Sequence, residues 1–146
     1  LTTYRERHAV EFTALAMPSV YGPRQRPEAG VVASFAAAAR SGTAPTVHGD
    51  GRQTRDFLFV DDAVDALVRA AHKGSGLVVN TGTGVATSIN ELWQLMSGGE
   101  GVPPVYVAKR PDSVPRLALA GTRARIQLAW APWTDLATGL RSLDRA

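Results

Sequence analysis

The chain holds no cysteine in 146 residues, so disulfide cross-links and thiolate metal sites are excluded. Its three histidines are scattered and give no metal-ligand spacing. No block of one charge sign occurs: sixteen basic and thirteen acidic side chains are spread along the whole length, for a net charge of +3. That small positive balance fits an anionic ligand better than a nucleic-acid footprint. No apolar run approaches the length of a membrane span, and no secretory leader is recognisable. Neither nucleic acid nor membrane is expected as a partner, and the expected location is the cytoplasm. A Gly-x-Ser-x-Gly nucleophile elbow is also absent, which removes the common serine-hydrolase arrangement. No internal repeat or low-complexity segment is present. With 45% hydrophobic residues, 14 glycines and 9 prolines, the composition suits one core of ordinary size.

Strand-like and helix-like segments alternate, which predicts an α/β chain. Residues 2–8 read as the end of a helix. Glu11 to Met17 is a short apolar run stopped by Pro18, expected as a buried parallel strand. Tyr21-Gly22-Pro23 reads as a loop, and the alanine-rich stretch from Val31 to Arg40 as a helix stopped by Gly42. Thr46 to His48 and Asp56 to Val60 read as strands. Asp61 or Asp62 is expected to cap a helix running to Ala71, with Ala63, Leu67, Ala70 and Ala71 as its apolar face. Leu77 to Asn80 is a strand. Ser88 with Glu91 forms a capping box before a stripe of Leu92, Leu95 and Met96. Val105 to Ala108 is a strand, and 122–128 and 136–143 are short amphipathic helices.

Arg55 is the leading candidate for function. It follows the turn Gly49-Asp50-Gly51 and stands before an apolar run, where a guanidinium could grip a diphosphate through two parallel hydrogen bonds. The competing reading is a surface arginine paired with Asp56 or Asp50. Gly30-Val31 opens a helix whose first backbone N–H groups could meet an anion or a base carbonyl. Thr81-Gly82-Thr83-Gly84 follows a strand and suggests a dinucleotide loop. The third glycine is missing, Thr87 occupying its place, so Asn80 to Gly84 reads as structural.

Two segments, Val20-Tyr21-Gly22-Pro23-Arg24-Gln25 and Gly49-Asp50-Gly51-Arg52-Gln53-Thr54-Arg55-Asp56-Phe57, are specific in combination. They resemble the extended short-chain dehydrogenase/reductases, in particular the NAD-dependent nucleotide-sugar epimerases and dehydratases, closest to the UDP-glucose 4-epimerase group. The resemblance implies the C-terminal portion of a Rossmann-type enzyme that includes its smaller substrate-binding domain. Strands and helices of the Rossmann edge would fall at about 9–20 and 55–73, interleaved with the substrate-binding domain at about 21–54 and 74–146. It implies that Arg55 contacts the nucleotide-sugar diphosphate. Lys109-Arg110-Pro111-Asp112-Ser113 resembles the family's Arg-Pro-Gly-Asp segment and gives Arg110 the same duty, although Asp112 and Ser113 depart from that pattern. Ser19 takes a position often held by asparagine near the sugar, Met17 and Pro18 face the nicotinamide, and Thr46 and His48 flank the nucleobase. The family's glycine-rich cofactor loop and its Tyr-x-x-x-Lys pair do not occur in this sequence. NAD is therefore expected to be bound mainly by a missing N-terminal half, the intact enzyme to be a homodimer, and this chain to be inactive alone. A 4,6-dehydratase or decarboxylase of the same family, and a non-catalytic binding module, are the alternatives.

Overall fold

The computed structural model describes residues 1–73 and 76–145, with side chains to Leu143. Helix α1 (Thr2–His8) leads to strand β1 (Thr13–Ala16), which pairs in parallel with β6 (Leu77–Asn80). Strand β2 (Ser19–Tyr21) pairs in parallel with β5 (Phe57–Phe59). Strand β3 (Thr46–His48) pairs in parallel with β8 (Val105–Val107), and β4 (Thr54–Arg55) runs antiparallel to β7 (Thr87–Ser88). The α/β expectation holds, with helices α2 (Val31–Ser41), α3 (Val60–His72), α4 (Ile89–Ser97), α5 (Thr122–Leu128) and α6 (Leu136–Arg141) between and after the strands.

Strand β5 divides the interior. Side chains alternate across a strand, so Phe57 and Phe59 enter one core with Tyr21, Phe35, Leu92 and Trp93. Leu58 enters a second core with Ala63, Ala66, Val79, Leu128 and Trp130. In the first core Phe35 of α2 meets Trp93 of α4 edge-on, with centroids 5.4 Å apart. Gly42 ends α2 at φ 62°, a left-handed conformation that glycine adopts without a Cβ penalty. The capping box forms: the Glu91 N–H donates to Ser88 Oγ at 3.1 Å, and the Ser88 N–H donates to Glu91 Oε2 at 3.4 Å.

Four expectations need correction. Tyr21 belongs to β2, and its ring is 2% exposed in the first core. An aromatic ring there gains more from burial against Phe57 and Phe59 than the adjoining Gly-Pro gains from an earlier turn. Neither Asp61 nor Asp62 caps α3, because Phe59 holds the N-cap position. The segment after α5 folds across the start of α3 and claims Asp62 instead. The Trp133 and Thr134 N–H groups donate to the fully buried carboxylate at 3.2 and 3.1 Å, and Trp130 Nε1 donates to the Asp62 carbonyl at 3.0 Å. The inward face of α3 is Ala63 and Ala66, small enough for close approach to the strands, while Leu67 is half-exposed and Ala71 exposed. In α4 the inward set is Ile89, Leu92 and Trp93, spaced as one helical face, and Leu95 is turned outward.

Candidate nucleotide-binding site

The turn before β4 is built by glycine. Gly49 and Gly51 sit at φ 80° and 73°, and the Asn90 side chain lies directly against Gly51, so a Cβ there would meet both backbone strain and a clash. Asn90 Nδ2 donates to the Asp50 carbonyl at 3.0 Å and fixes the turn to the start of α4. Strand β4 is then held on two sides. Arg55 pairs with Thr87, and Thr54 also bridges Arg116: the Thr54 N–H donates to the Pro115 carbonyl, and the Leu117 N–H donates to the Thr54 carbonyl.

Arg55 is partly buried, and its Nη1 donates to the Thr54 and Val114 carbonyls, both at 2.7 Å. Neither carboxylate of the competing reading reaches it. Asp50 turns to Arg52, with Nε–Oδ2 at 3.9 Å. Asp56 is fully buried and accepts from the Thr83 N–H at 3.1 Å, Thr83 Oγ1 at 2.6 Å, the Gly84 N–H at 3.0 Å and the Leu119 N–H at 3.0 Å. Anchored through Nη1 alone, Arg55 keeps its Nε–Nη2 edge without a protein acceptor among the described residues. That edge is the one suited to bidentate binding of an oxyanion.

The same bonds bear on the Thr81 to Gly84 turn. Its amide groups at Thr83 and Gly84 are engaged by Asp56, so they are not available to cradle a cofactor diphosphate. Gly82 packs so closely on Asp56 and Leu119 that a Cβ has no room. The turn is structural, as the missing third glycine suggests.

A cavity of about 470 Å³ brings together Ser19, Gly30, Val31, Thr46, His48, Arg55 and Arg110, all the substrate-side residues singled out from the sequence. Ser19 is placed by β2, its N–H donating to the Asp56 carbonyl at 3.0 Å. Gly30 precedes α2 and offers no side-chain cap, so the first-turn N–H groups of that helix remain for ligand or water. Strand pairing of β3 with β8 sets His48 beside the segment that carries Arg110. Arg110 Nη2 lies 3.1 Å from His48 Nε2. Met17 and Pro18 are not brought to this cavity: Met17 packs against the second core and lines a separate groove with Leu15 and Leu67.

Sequence reasoning missed Gln53, Ser34, Glu28 and Ser113, which share the lining. Two carried a readable signal. Gln53 is two residues before Arg55 in an extended segment, hence on the same face. Its Nε2 donates to the His48 carbonyl at 2.8 Å. Ser34 is three residues after Val31, hence on the same side of α2. Glu28 sits in a 3₁₀ turn (Pro27–Ala29) that no sequence pattern announced.

Arg55 and Arg110 thus line one cavity of an α/β framework, and each keeps guanidinium donors without a protein acceptor among the described residues. The profile of the NAD dependent epimerase/dehydratase family matches residues 1–82. A UDP-glucose 4-epimerase of Mycolicibacterium smegmatis is 44% identical over 96% of this chain and 46% of its own length. A dTDP-glucose 4,6-dehydratase of Streptomyces griseus is 33% identical over 91% of this chain and 42% of its own length. The solved structure of a Thermotoga maritima UDP-glucose 4-epimerase with UDP-glucose superposes with a TM-score of 0.94 at 36% identity, covering 99% of this chain and 48% of that one. The chain belongs to the NAD-dependent epimerase/dehydratase family. It spans about half the length of the relatives it matches.

Proposed function

We propose that this chain is the nucleotide-sugar-binding portion of a UDP-glucose 4-epimerase-like enzyme and has no activity by itself. The observation that carries the reading is the free Nε–Nη2 edge of Arg55 in a cavity that Arg110 also lines. Two guanidinium groups nearly balance the two charges of a bridging diphosphate. The first turn of α2 and the Thr46–His48 strand then take the nucleoside end, and Ser19 takes the sugar end. The rigid setting of β4 matters because it leaves little conformational freedom for Arg55 to lose on binding.

NAD supplies hydride transfer in this family. The described residues of this chain do not fit a dinucleotide by themselves, since the Thr81 to Gly84 turn, the one that suggests a dinucleotide loop, is closed by Asp56. The contribution derived for this chain is therefore binding and orientation: fixing the diphosphate fixes where the sugar ring lies. Contact of Met17 and Pro18 with nicotinamide, the division into Rossmann edge and substrate-binding unit, and a homodimeric whole enzyme rest on the family resemblance. A nucleotide-sugar 4,6-dehydratase is the second reading, favoured by the Streptomyces relative, and it uses the same grip.

Calorimetric titration of the chain with uridine, UMP and UDP tests the reading. Affinity should climb along the series, and UDP should bind at least about thirtyfold more tightly than uridine if two charge-assisted contacts form. Equal affinity for uridine and UDP would remove the diphosphate role.

A further inference from the structure

We infer that His48 acts on the ligand through Arg110, as a positioning residue whose Nε2 holds the guanidinium in place; this rests on the diphosphate reading above. Each ring nitrogen has one neighbour. Nδ1 lies 3.4 Å from the Ala108 carbonyl oxygen, a group that can only accept. Nε2 lies 3.1 Å from Arg110 Nη2, a group that can only donate. A ring with its proton on Nδ1 and its lone pair on Nε2 satisfies both, whereas the reverse tautomer faces two mismatches.

The fold fixes the ring before any ligand arrives. Parallel pairing sets His48 opposite Val107, one residue before the Ala108 acceptor, and Gln53 Nε2 holds the His48 carbonyl at 2.8 Å. Arg110, by contrast, is exposed, and among the described residues no carboxylate pairs with it. A long side chain in that setting samples many rotamers and loses that freedom on binding. The imidazole lone pair removes part of this cost by holding one guanidinium nitrogen in advance, with the other donors left for an oxyanion.

A double-mutant cycle on UDP binding, measured by calorimetry on the full chain, separates this role from direct contact. His48→Ala should weaken UDP about three- to tenfold, the scale of one hydrogen bond, and should add nothing further in an Arg110→Ala background. His48→Gln keeps an acceptor near the Nε2 position and should restore binding to within about twofold of the parent. Circular dichroism checks that each variant is folded. Equal losses from His48→Ala in both backgrounds would mean that His48 touches the ligand itself and would overturn the inference. So would no loss in the parent background, or a silent Arg110→Ala while Arg55→Ala weakens binding. That last result leaves the diphosphate reading standing, whereas a silent Arg55→Ala removes the reading and this inference together.

Discussion

Asp56→Ala should lower the stability of the chain by about 3–5 kcal/mol, because it strips a buried hub of its acceptor. The carboxylate is fully buried and takes hydrogen bonds from the Thr83 N–H and hydroxyl, the Gly84 N–H and the Leu119 N–H. Removing it orphans these donors in a space that water does not fill freely. It also unties three segments at once: β5, the turn after β6 and the strap that precedes α5. Asp56→Asn is an informative companion. It preserves volume and one oxygen, but turns an NH₂ group toward a partner that also donates, so it should recover only part of the loss. Urea unfolding followed by circular dichroism measures both variants. A loss under about 1 kcal/mol for Asp56→Ala would mean that the hub is dispensable.

Arg55→Ala should weaken UDP binding by about 2–3 kcal/mol, or about thirty- to a hundred-and-fiftyfold, with little change in stability. The stability cost is small because Arg55 is only partly buried and gives the protein two hydrogen bonds to carbonyls near the surface. The binding cost is large because the freed edge, prealigned by β4, would meet a full negative charge. Arg55→Lys tests the geometry of that edge. A lysine retains the charge but not the fork, so it should recover less than half of the lost binding free energy. Calorimetry on folded protein reads all three forms. An unchanged dissociation constant in Arg55→Ala would return this residue to a purely structural bridge between β4 and the Val114 segment.

Much of the fold was legible in the sequence, for local reasons. The Ser88–Glu91 capping box, the glycine stop at Gly42 and the alanine-rich body of α2 are decided within a few residues, and each forms as read. What failed was decided at long range. Asp62 carries a perfect N-cap side chain, yet amides 71 and 72 residues away hold it. Leu67 fits a helical stripe, but the inward face of α3 is set by how closely Ala63 and Ala66 let the helix approach its strands. The site was legible in kind: glycines at positive φ, an arginine after them and a helix with an uncapped start all have local signatures. The lone pair that His48 turns to Arg110 was not, because it depends on β3 pairing with β8 across some sixty residues.

In the function proposed above, Arg55 and Arg110 hold a diphosphate between them in the cavity bounded by Ser19, the start of α2 and β3. A crystal structure of the chain grown with UDP-glucose tests it most directly. Diphosphate oxygens should lie within hydrogen-bonding distance of Arg55 Nε and Nη2 and of the Arg110 guanidinium, with the Arg110–His48 contact retained. A nucleotide seated elsewhere on the chain, or seated here with its diphosphate away from Arg55, would contradict it.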